Sequence, residues 1–342
     1  MTDFRPIGGG STANQDSLAA ILLTSRLASE GVKPLTSAEY WQRSELASRP
    51  SALLETSPET LCAMHGLAEE MASRITALFN RAVAMAFEVD RLKQSGIHTL
   101  APFDEHYPCL FRYRLKKKAP VVLHAAGSLD LFDHSGLGVV GSRDIGQEGA
   151  EVAKEAARLA TRLGLPVVSG GARGVDRLAM NAAFDEHGAE GTVIGFLADS
   201  LERQLKQPDT RRAILDKRIL LCTPYEPDAH FTAGRAMGRN KLIYAGSVIT
   251  LVVASDKKSG GTWAGAVEAL KHGFGAVAVW RGPGEGPGNQ SLEQLGATPV
   301  GSLDDLEALL ISAQAKPTSA ENRVQIEESP QVPLPLELGF DA

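Results

Sequence analysis

Three cysteines in 342 residues, Cys62, Cys109 and Cys222, are few and far apart. That spacing excludes a disulfide framework and a C-x-x-C metal site, and it fits a reducing compartment. Long apolar runs are missing as well. The longest, such as SVITLVVA at 247–254, fall far short of the roughly 20 residues that span a bilayer. The opening MTDFRPIGGGSTANQ has no apolar signal core. No G-K-[ST], H-E-x-x-H or G-x-S-x-G occurs, so the usual marks of P-loop NTPases, zinc proteases and α/β-hydrolases are lacking. No carboxylate or His/Cys cluster calls for a metal, and no cofactor is expected. The net charge of −6 shows no basic excess of the kind nucleic-acid binders often carry. Whole-chain charge is a blunt measure, however, because binding depends on where the basic groups lie. The expectation is a cytoplasmic globular protein without a membrane partner.

What is present divides into four regions. Residues 16–96 read as a helical N-terminal domain, in which DSLAAILLTSRLASEG has apolar residues at helical spacing and TSAEYWQRSEL opens on a Ser/Thr cap. A stripe of Leu67, Met71, Ile75, Leu78, Val83 and Phe87 follows. Within it, the turn at 64–72 is either a plain turn between core helices or a helix-hairpin-helix that binds a DNA backbone. Residues 97–133 form a connecting strap with the basic run Arg112, Arg114, Lys116, Lys117 and Lys118, either a solvated face or a nucleic-acid contact.

From 134 to 312, short apolar runs alternate with helical patterns: GLGVV, PVVSG, TVIGF, RILLC, SVITLVVA and GAVAVW are the strands. Helices are expected at about 147–163, 174–187, 233–245 and 263–272. Continuous apolar strands with crossovers of this length predict a Rossmann-like, doubly wound, mostly parallel α/β sheet. Residues 313–342 are polar, acidic and Pro-rich and read as a disordered tail, with PLPLELGF a short docking-peptide candidate inside it.

Ligands of such sheets bind outside the carboxyl ends of the strands, and three turns at those ends are Gly-rich. The first carries Gly141, Ser142 and Arg143. The second, SGGARG, carries Ser169, Gly170, Gly171, Arg173 and Gly174 and frees backbone N–H groups at a helix start. The third carries Ser259, Gly260, Gly261 and Thr262. An arginine's planar fork matches phosphate oxygens, so three such turns in series predict a phosphate-binding surface. SGGARG nearly matches the dinucleotide fingerprint, yet no strand-end acid follows about twenty residues on to hold a ribose. GRNKLIYAG adds Arg239, Asn240 and Lys241, with Arg235 just before them, on a helix that is either amphipathic with a basic outer face or one wall of a basic cleft. Lys257 and Lys258 are candidates for the same rim.

The blocks VVGSR, VVSGGARGVDRLAMNAAF, GRNKLIYAGS and KSGGTWAGAVEALKHG resemble, in order, the GSR, SGxAxGxD, RNRxIxGLS and SGSLxTA blocks of the DNA-processing protein A (DprA/Smf) family. Tyr107-Pro108, Leu110, Pro120 and VVLHAAG match its Y-P-x-x-L…P-x-V-L-x-x-x-G. The resemblance spans roughly residues 60–300. It implies a single-stranded DNA-binding protein without enzymatic activity that protects incoming strands and helps load RecA during natural transformation, commonly as a homodimer. Carried over by position, Arg143, the Ser169–Gly174 turn, Arg239, Asn240, Lys241 and the Ser259–Thr262 turn would hold DNA phosphates. Departures are plain. Lys241 replaces an arginine, F-P-x-R-N is reduced to Phe231 with a longer insertion, A-x-P-G becomes AVWRGPG, and the winged helix of many members is missing. These leave open another role, such as defence against foreign DNA.

Two alternatives share the fold: a small-nucleotide sensor, and a LOG-type phosphoribohydrolase with the signature P-G-G-x-G-T-x-x-E. Here Gly265 occupies the glutamate position and Glu268 lies one helical turn further on, so general acid/base work lacks a placed carboxylate. Asp176, in the first turn of a helix, is read as serving the helix dipole rather than catalysis.

Overall fold

The computed structural model describes residues 12–28, 31–185 and 191–314. The N-terminal helices are α1 (Thr12–Thr24), α2 (Ser37–Trp41), α3 (Ser44–Ser48), α4 (Pro58–His65), α5 (Glu69–Phe79) and α6 (Ala82–Gln94). Local chemistry sets their ends. Thr36 Oγ1 accepts from the Glu39 amide at 3.2 Å, and Glu39 accepts from the Thr36 amide at 2.7 Å, closing a capping box on α2. Ser57 caps α4, Pro58 opens it, and Gly66 in the left-handed region ends it. The apolar stripe expected over 67–87 is broken at Asn80–Arg81, where α5 stops. Ile75 and Leu78 are buried, but Val83 and Phe87 face solvent on the new helix. A short turn at Gly66 joins α4 and α5. Glu69 and Glu70 occupy the first turn of α5, where a DNA phosphate would have to approach two carboxylates.

Nine strands form one sheet: β1 (His98–Leu100), β2 (Leu123–Gly127), β3 (Gly136–Val140), β4 (Val167–Ser169), β5 (Val193–Phe196), β6 (Ile219–Thr223), β7 (Ser247–Val252), β8 (Ala276–Trp280) and β9 (Thr298–Val300). Their order is β1-β2-β6-β5-β4-β3-β7-β8-β9. The seven strands β3 to β9 run parallel, and the antiparallel pair β1–β2 extends the sheet beyond β6. The doubly wound expectation holds. The segment 97–133, read as a strap, does more than connect, because it supplies β1 and β2. VVLHAAG is apolar enough to be buried, but which sheet edge it joins is a long-range choice that its own residues do not encode.

The remaining helices are α7 (Cys109–Leu115), α8 (Gln147–Arg162), α9 (Val175–Asp185), α10 (Leu201–Gln204), α11 (Pro208–Leu215), α12 (Ala233–Ala245), α13 (Gly260–His272), α14 (Asn289–Gln294) and α15 (Leu303–Gln314). They cover both sheet faces. Val139, Val167, Leu221 and Leu251 pack with α8, α9 and α15, while their neighbours Val140, Val168, Leu220 and Val252 pack with α12, α13 and the N-terminal helices. This alternation explains why each strand reads as a continuous apolar run. Fully burying one such side chain stabilises by about 1.5–3 kcal/mol. On α8, Ala153, Ala156, Ala157 and Ala160 form a small-residue face that lets α9 approach closely through Ala179, Ala182 and Ala183.

The chain fills one side of the sheet with β4, β5 and β6, then returns through α12 to place β7 on the other side of β3. The switch point lies between β3 and β7, at the carboxyl ends that carry the Gly-rich turns. The helix expected over 174–187 is seen to Asp185, where the described residues pause. The tail expected from 313 lies, with PLPLELGF, almost wholly outside the described residues, since α15 runs to Gln314. No helix among the described residues is long and apolar enough to cross a membrane. The three cysteines are unpaired.

Candidate nucleic-acid interface

The three turns meet, and they are tied to one another. The Val175 amide donates to the Ser142 carbonyl at 3.2 Å, and Thr262 Oγ1 donates to the Gly141 carbonyl at 2.9 Å. The Ser142 amide reaches back to the Ala254 carbonyl beyond β7 at 2.9 Å. Packing this tight leaves no room for side chains. A Cβ on Gly174, whose φ is +86°, would stand 2.3 Å from the Ser142 carbonyl oxygen, and one on Gly141 would strike Val175. The glycines at 141 and 174 therefore serve turn-to-turn packing, and Gly141 also lines the larger of two adjoining recesses.

Beneath the turns, Arg239 and Asp176 are buried near each other. Arg239, from α12, is 3% exposed and donates through Nη1 to the Phe196 carbonyl, while its buried Nε has no partner. A Cβ on Gly170 would fall 1.8 Å from Arg239 Nη1, so Gly170 exists to admit the guanidinium. Asp176 is buried beside it and accepts from the Gly170 amide at 3.2 Å. Burial pushes the Asp176 carboxyl up, and the Arg239 charge with the amides of Gly170, Ala172 and Gly141 opposes this. Burial likewise pushes Arg239 down, against the Asp176 charge, but a guanidinium stays charged. Asp176 thus binds two turns together from within, which favours its structural reading over catalysis.

Two adjoining recesses open above this pair. One, of about 400 Å³, is floored by Asp176, Arg239 and Tyr244 and bounded by Arg143, Asn240 and the Ser259–Thr262 turn. The other, of about 320 Å³, lies among Gly171, Arg173, Arg177 and Phe231 and shares Arg143 and Arg239 with the first. The Arg143 guanidinium rests 5.5 Å from the centre of the exposed Phe231 ring. Ser259, Gly260 and Gly261 are exposed at the start of α13, and no side chain caps that end. Its free N–H groups and unspent Ser259 hydroxyl face the larger recess. The arrangement offers backbone N–H groups at helix starts, three accessible guanidiniums and one buried charge below them, the chemistry of an oxyanion surface.

Not every expected residue faces it. Ser169 is fully buried and its hydroxyl donates to the Val139 carbonyl at 2.7 Å, so it closes the β4 end from inside. Lys241 lines neither recess. Successive helix residues turn by about 100°, so Arg239 points in, Asn240 reaches the Gly261 carbonyl at 3.3 Å, and Lys241 turns toward Glu268 and Lys118. Arg235 is held by the His230 carbonyl and Glu226. Lys257 and Lys258 are exposed but border neither recess, where Asp256 stands instead. The basic run of 112–118 is mostly a buckle. Arg112 stacks 4.5 Å from the Trp41 ring centre, Arg114 donates to the carbonyls of Ala245 and Ser247 at 2.9 and 2.6 Å, and Lys118 pairs with Glu268 at 2.6 Å. Lys116 and Lys117 remain as solvated charges, and Arg112 is exposed as well.

Residues that sequence reasoning missed are Arg177 and Phe231 as recess walls, and Asn289. Arg177 lies in the first turn of α9, directly after the SGGARG turn, and that position was the available signal. Asn289 is fully buried, donates to the carbonyls of Val253 and Trp280, and accepts from the Ser255 amide at 2.9 Å, which locks the chain leaving β7. Among the described residues no group of three His, Cys, Asp or Glu side chains is placed to hold a metal ion.

Residues 98–310 match the family described as DNA recombination-mediator protein A. A Mycobacterium tuberculosis DNA processing protein of the DprA type is 29% identical over 242 residues, covering 65% of this chain and 59% of the relative. The chain thus spans less than two thirds of that relative's length. The Bacillus subtilis DNA processing protein DprA is 27% identical over 221 residues, covering 63% of this chain and 71% of its own. Among solved structures, Streptococcus pneumoniae DprA shares the fold with a TM-score of 0.56 at 22% identity, covering 80% of this chain and 98% of that one. Helicobacter pylori DNA processing protein A, studied for its single-stranded DNA binding mode, gives 0.52 at 23% identity, covering 63% and 96%. By the extent of the match over the sheet and all three turns, this chain belongs to the DNA recombination-mediator protein A family.

Proposed function

We propose that the chain binds single-stranded DNA through its phosphates, protects the strand and hands it to RecA as a recombination mediator during DNA uptake. In this reading it acts in the cytoplasm, as a homodimer, and performs no chemistry on the DNA. The observation that carries it is the convergence of the turns after β3, β4 and β7 on one recessed surface with Arg143, Arg173 and Arg177 at its mouth and Arg239 at its base. Phosphate contacts of this kind are indifferent to sequence and release counterions, so affinity falls steeply with salt. The family and the H. pylori relative's single-stranded DNA binding support the ligand; the mediator role follows the family's description.

The hydrolase alternative gains nothing from the site. Glu268 is paired with Lys118 and faces Lys241, away from the turns. The test is titration of oligo-dT by fluorescence anisotropy over a salt series. Binding at low salt with a slope of several charges supports the reading. Absence of binding, with tight binding or turnover of a nucleoside monophosphate, sinks it. Loading is read separately, as RecA-dependent joint-molecule formation on strands pre-coated with single-strand-binding protein.

A further inference from the structure

The smaller recess does not end at Gly171. Gly170, Gly171, Arg177 and Asp199 also form the upper end of a much larger cavity, about 770 Å³, on the α8–α9 face of the sheet. It is a groove between α9 and α11, floored by Leu197, Ile219 and Leu221. Ile219 is in register with Val193, so from there to Leu197 the floor runs four residues, about 13 Å at 3.3 Å per residue. Its volume is in the range of small-ligand sites, about 300–1,000 Å³.

The lining is unlike the phosphate rim. Met180 and Phe184 give one wall, and three amides, Asn181, Gln204 and Gln207, stand among the apolar groups. Amides offer donors and acceptors without charge, which matches the edges of nucleobases. Charged side chains of both signs, Arg177, Asp199, Asp209, Arg212, Asp216 and Arg218, also line the groove; Arg212 lies 4.0 Å from Asp216, and Arg203 pairs with Asp199. Arg218 lies 5.1 Å from the Phe184 ring centre and donates to the carbonyls of Gly191 and Phe184, so that wall is fixed.

A phosphate rim that continues into a groove with an apolar floor, three amides and charges of both signs fits one kind of polymer. We propose that the groove between α9 and α11 receives one or two unstacked nucleobases of the strand whose phosphates lie on the rim. This rests on the single-stranded DNA reading and extends it. A paired base is not available to enter, so the groove selects single strands over duplex, and the three amides give it the means to prefer some bases.

The experiment compares oligo-dT with a strand of equal length built of abasic tetrahydrofuran sites, on the full chain, its Asn181→Trp variant and its Arg143→Ala variant. Asn181 is exposed on α9, so tryptophan there fills the groove without entering the core, and thermal unfolding verifies the fold. The unaltered chain is expected to bind dT about tenfold tighter than the abasic strand. Asn181→Trp should abolish that preference and leave abasic affinity unchanged, while Arg143→Ala should weaken both strands. Equal affinity of the unaltered chain for the two strands overturns the base groove and leaves phosphate binding standing. A preference that survives Asn181→Trp but is lost in Phe231→Ala also overturns it, by placing the bases on the Phe231 ring. Failure of the unaltered chain to bind either strand at low salt overturns the phosphate reading itself.

Discussion

Gly170→Ala is the sharpest test of how the site is built. The added Cβ would lie 1.8 Å from Arg239 Nη1, 2.4 Å from Cζ and 2.6 Å from Nη2. Ordinary contact needs more than 3.4 Å, so the guanidinium must retreat by well over an ångström. A guanidinium is the far end of a flexible side chain, and on the surface it would simply swing away. Here it is buried, bonded to the Phe196 carbonyl and facing Asp176. Overpacking costs about 1–3 kcal/mol, and loss of a charged hydrogen bond about 1.5–3 kcal/mol. Gly170→Ala should therefore destabilise by about 3–5 kcal/mol and weaken oligo-dT binding through the displaced charge. In an Arg239→Ala background the methyl enters vacated space, and the same change should cost less than about 1 kcal/mol. Urea denaturation of the two single variants and the double variant gives the coupling, expected to be at least about 2 kcal/mol. Additive effects would refute the argument that Gly170 is small for the sake of Arg239.

Four further outcomes follow from the same geometry. Arg143→Ala should lower the slope of log affinity against log salt for oligo-dT by roughly one, and Lys241→Ala should change it little, because Lys241 borders neither recess. Arg114→Ala should destabilise by about 2–3 kcal/mol by orphaning the carbonyls at the end of α12, whereas Lys116→Ala and Lys117→Ala should leave the unfolding midpoint nearly unchanged. Glu268→Gln should leave strand binding intact in a filter or anisotropy assay; a large loss would place that carboxylate at the site after all. Burial holds the His124 imidazole down at about 4 against an ordinary 6.5, so the fold favours its neutral form and the unfolded chain protonates first as pH falls. The stability it gives is complete above pH 6.5 and is lost between 6.5 and 4, about 3 kcal/mol in all. Urea unfolding at pH 7 and 4.5 should show a smaller acid loss in His124→Gln than in the unaltered chain.

The sequence by itself determined six of the nine strands, four of the helices between them and the identity of the three turns. Each of these is written in local patterns: continuous apolar runs such as VVSG and SVITLVV, the helical spacing of 147–163, and glycines where a strand gives way to a helix. It also named Arg143, Arg173 and Arg239, which the fold brings around two adjoining recesses, because strand ends of a doubly wound sheet converge whatever lies between them. Only the tertiary structure decided which way the side chains turn. In GRNK, three adjacent polar residues point about 100° apart, so Arg239 becomes the buried base of the site, Asn240 a tie to the third turn, and Lys241 a neighbour of Glu268. In RYRLKKK, a run that reads as a charged face is mostly consumed by Trp41, by the carbonyls closing α12 and by Glu268, partners distant in sequence. Ser169 and Asp176 face inward for the same reason. A pattern fixes where the backbone goes over a few residues; which atoms meet across 30 to 150 residues depends on packing that no short pattern contains.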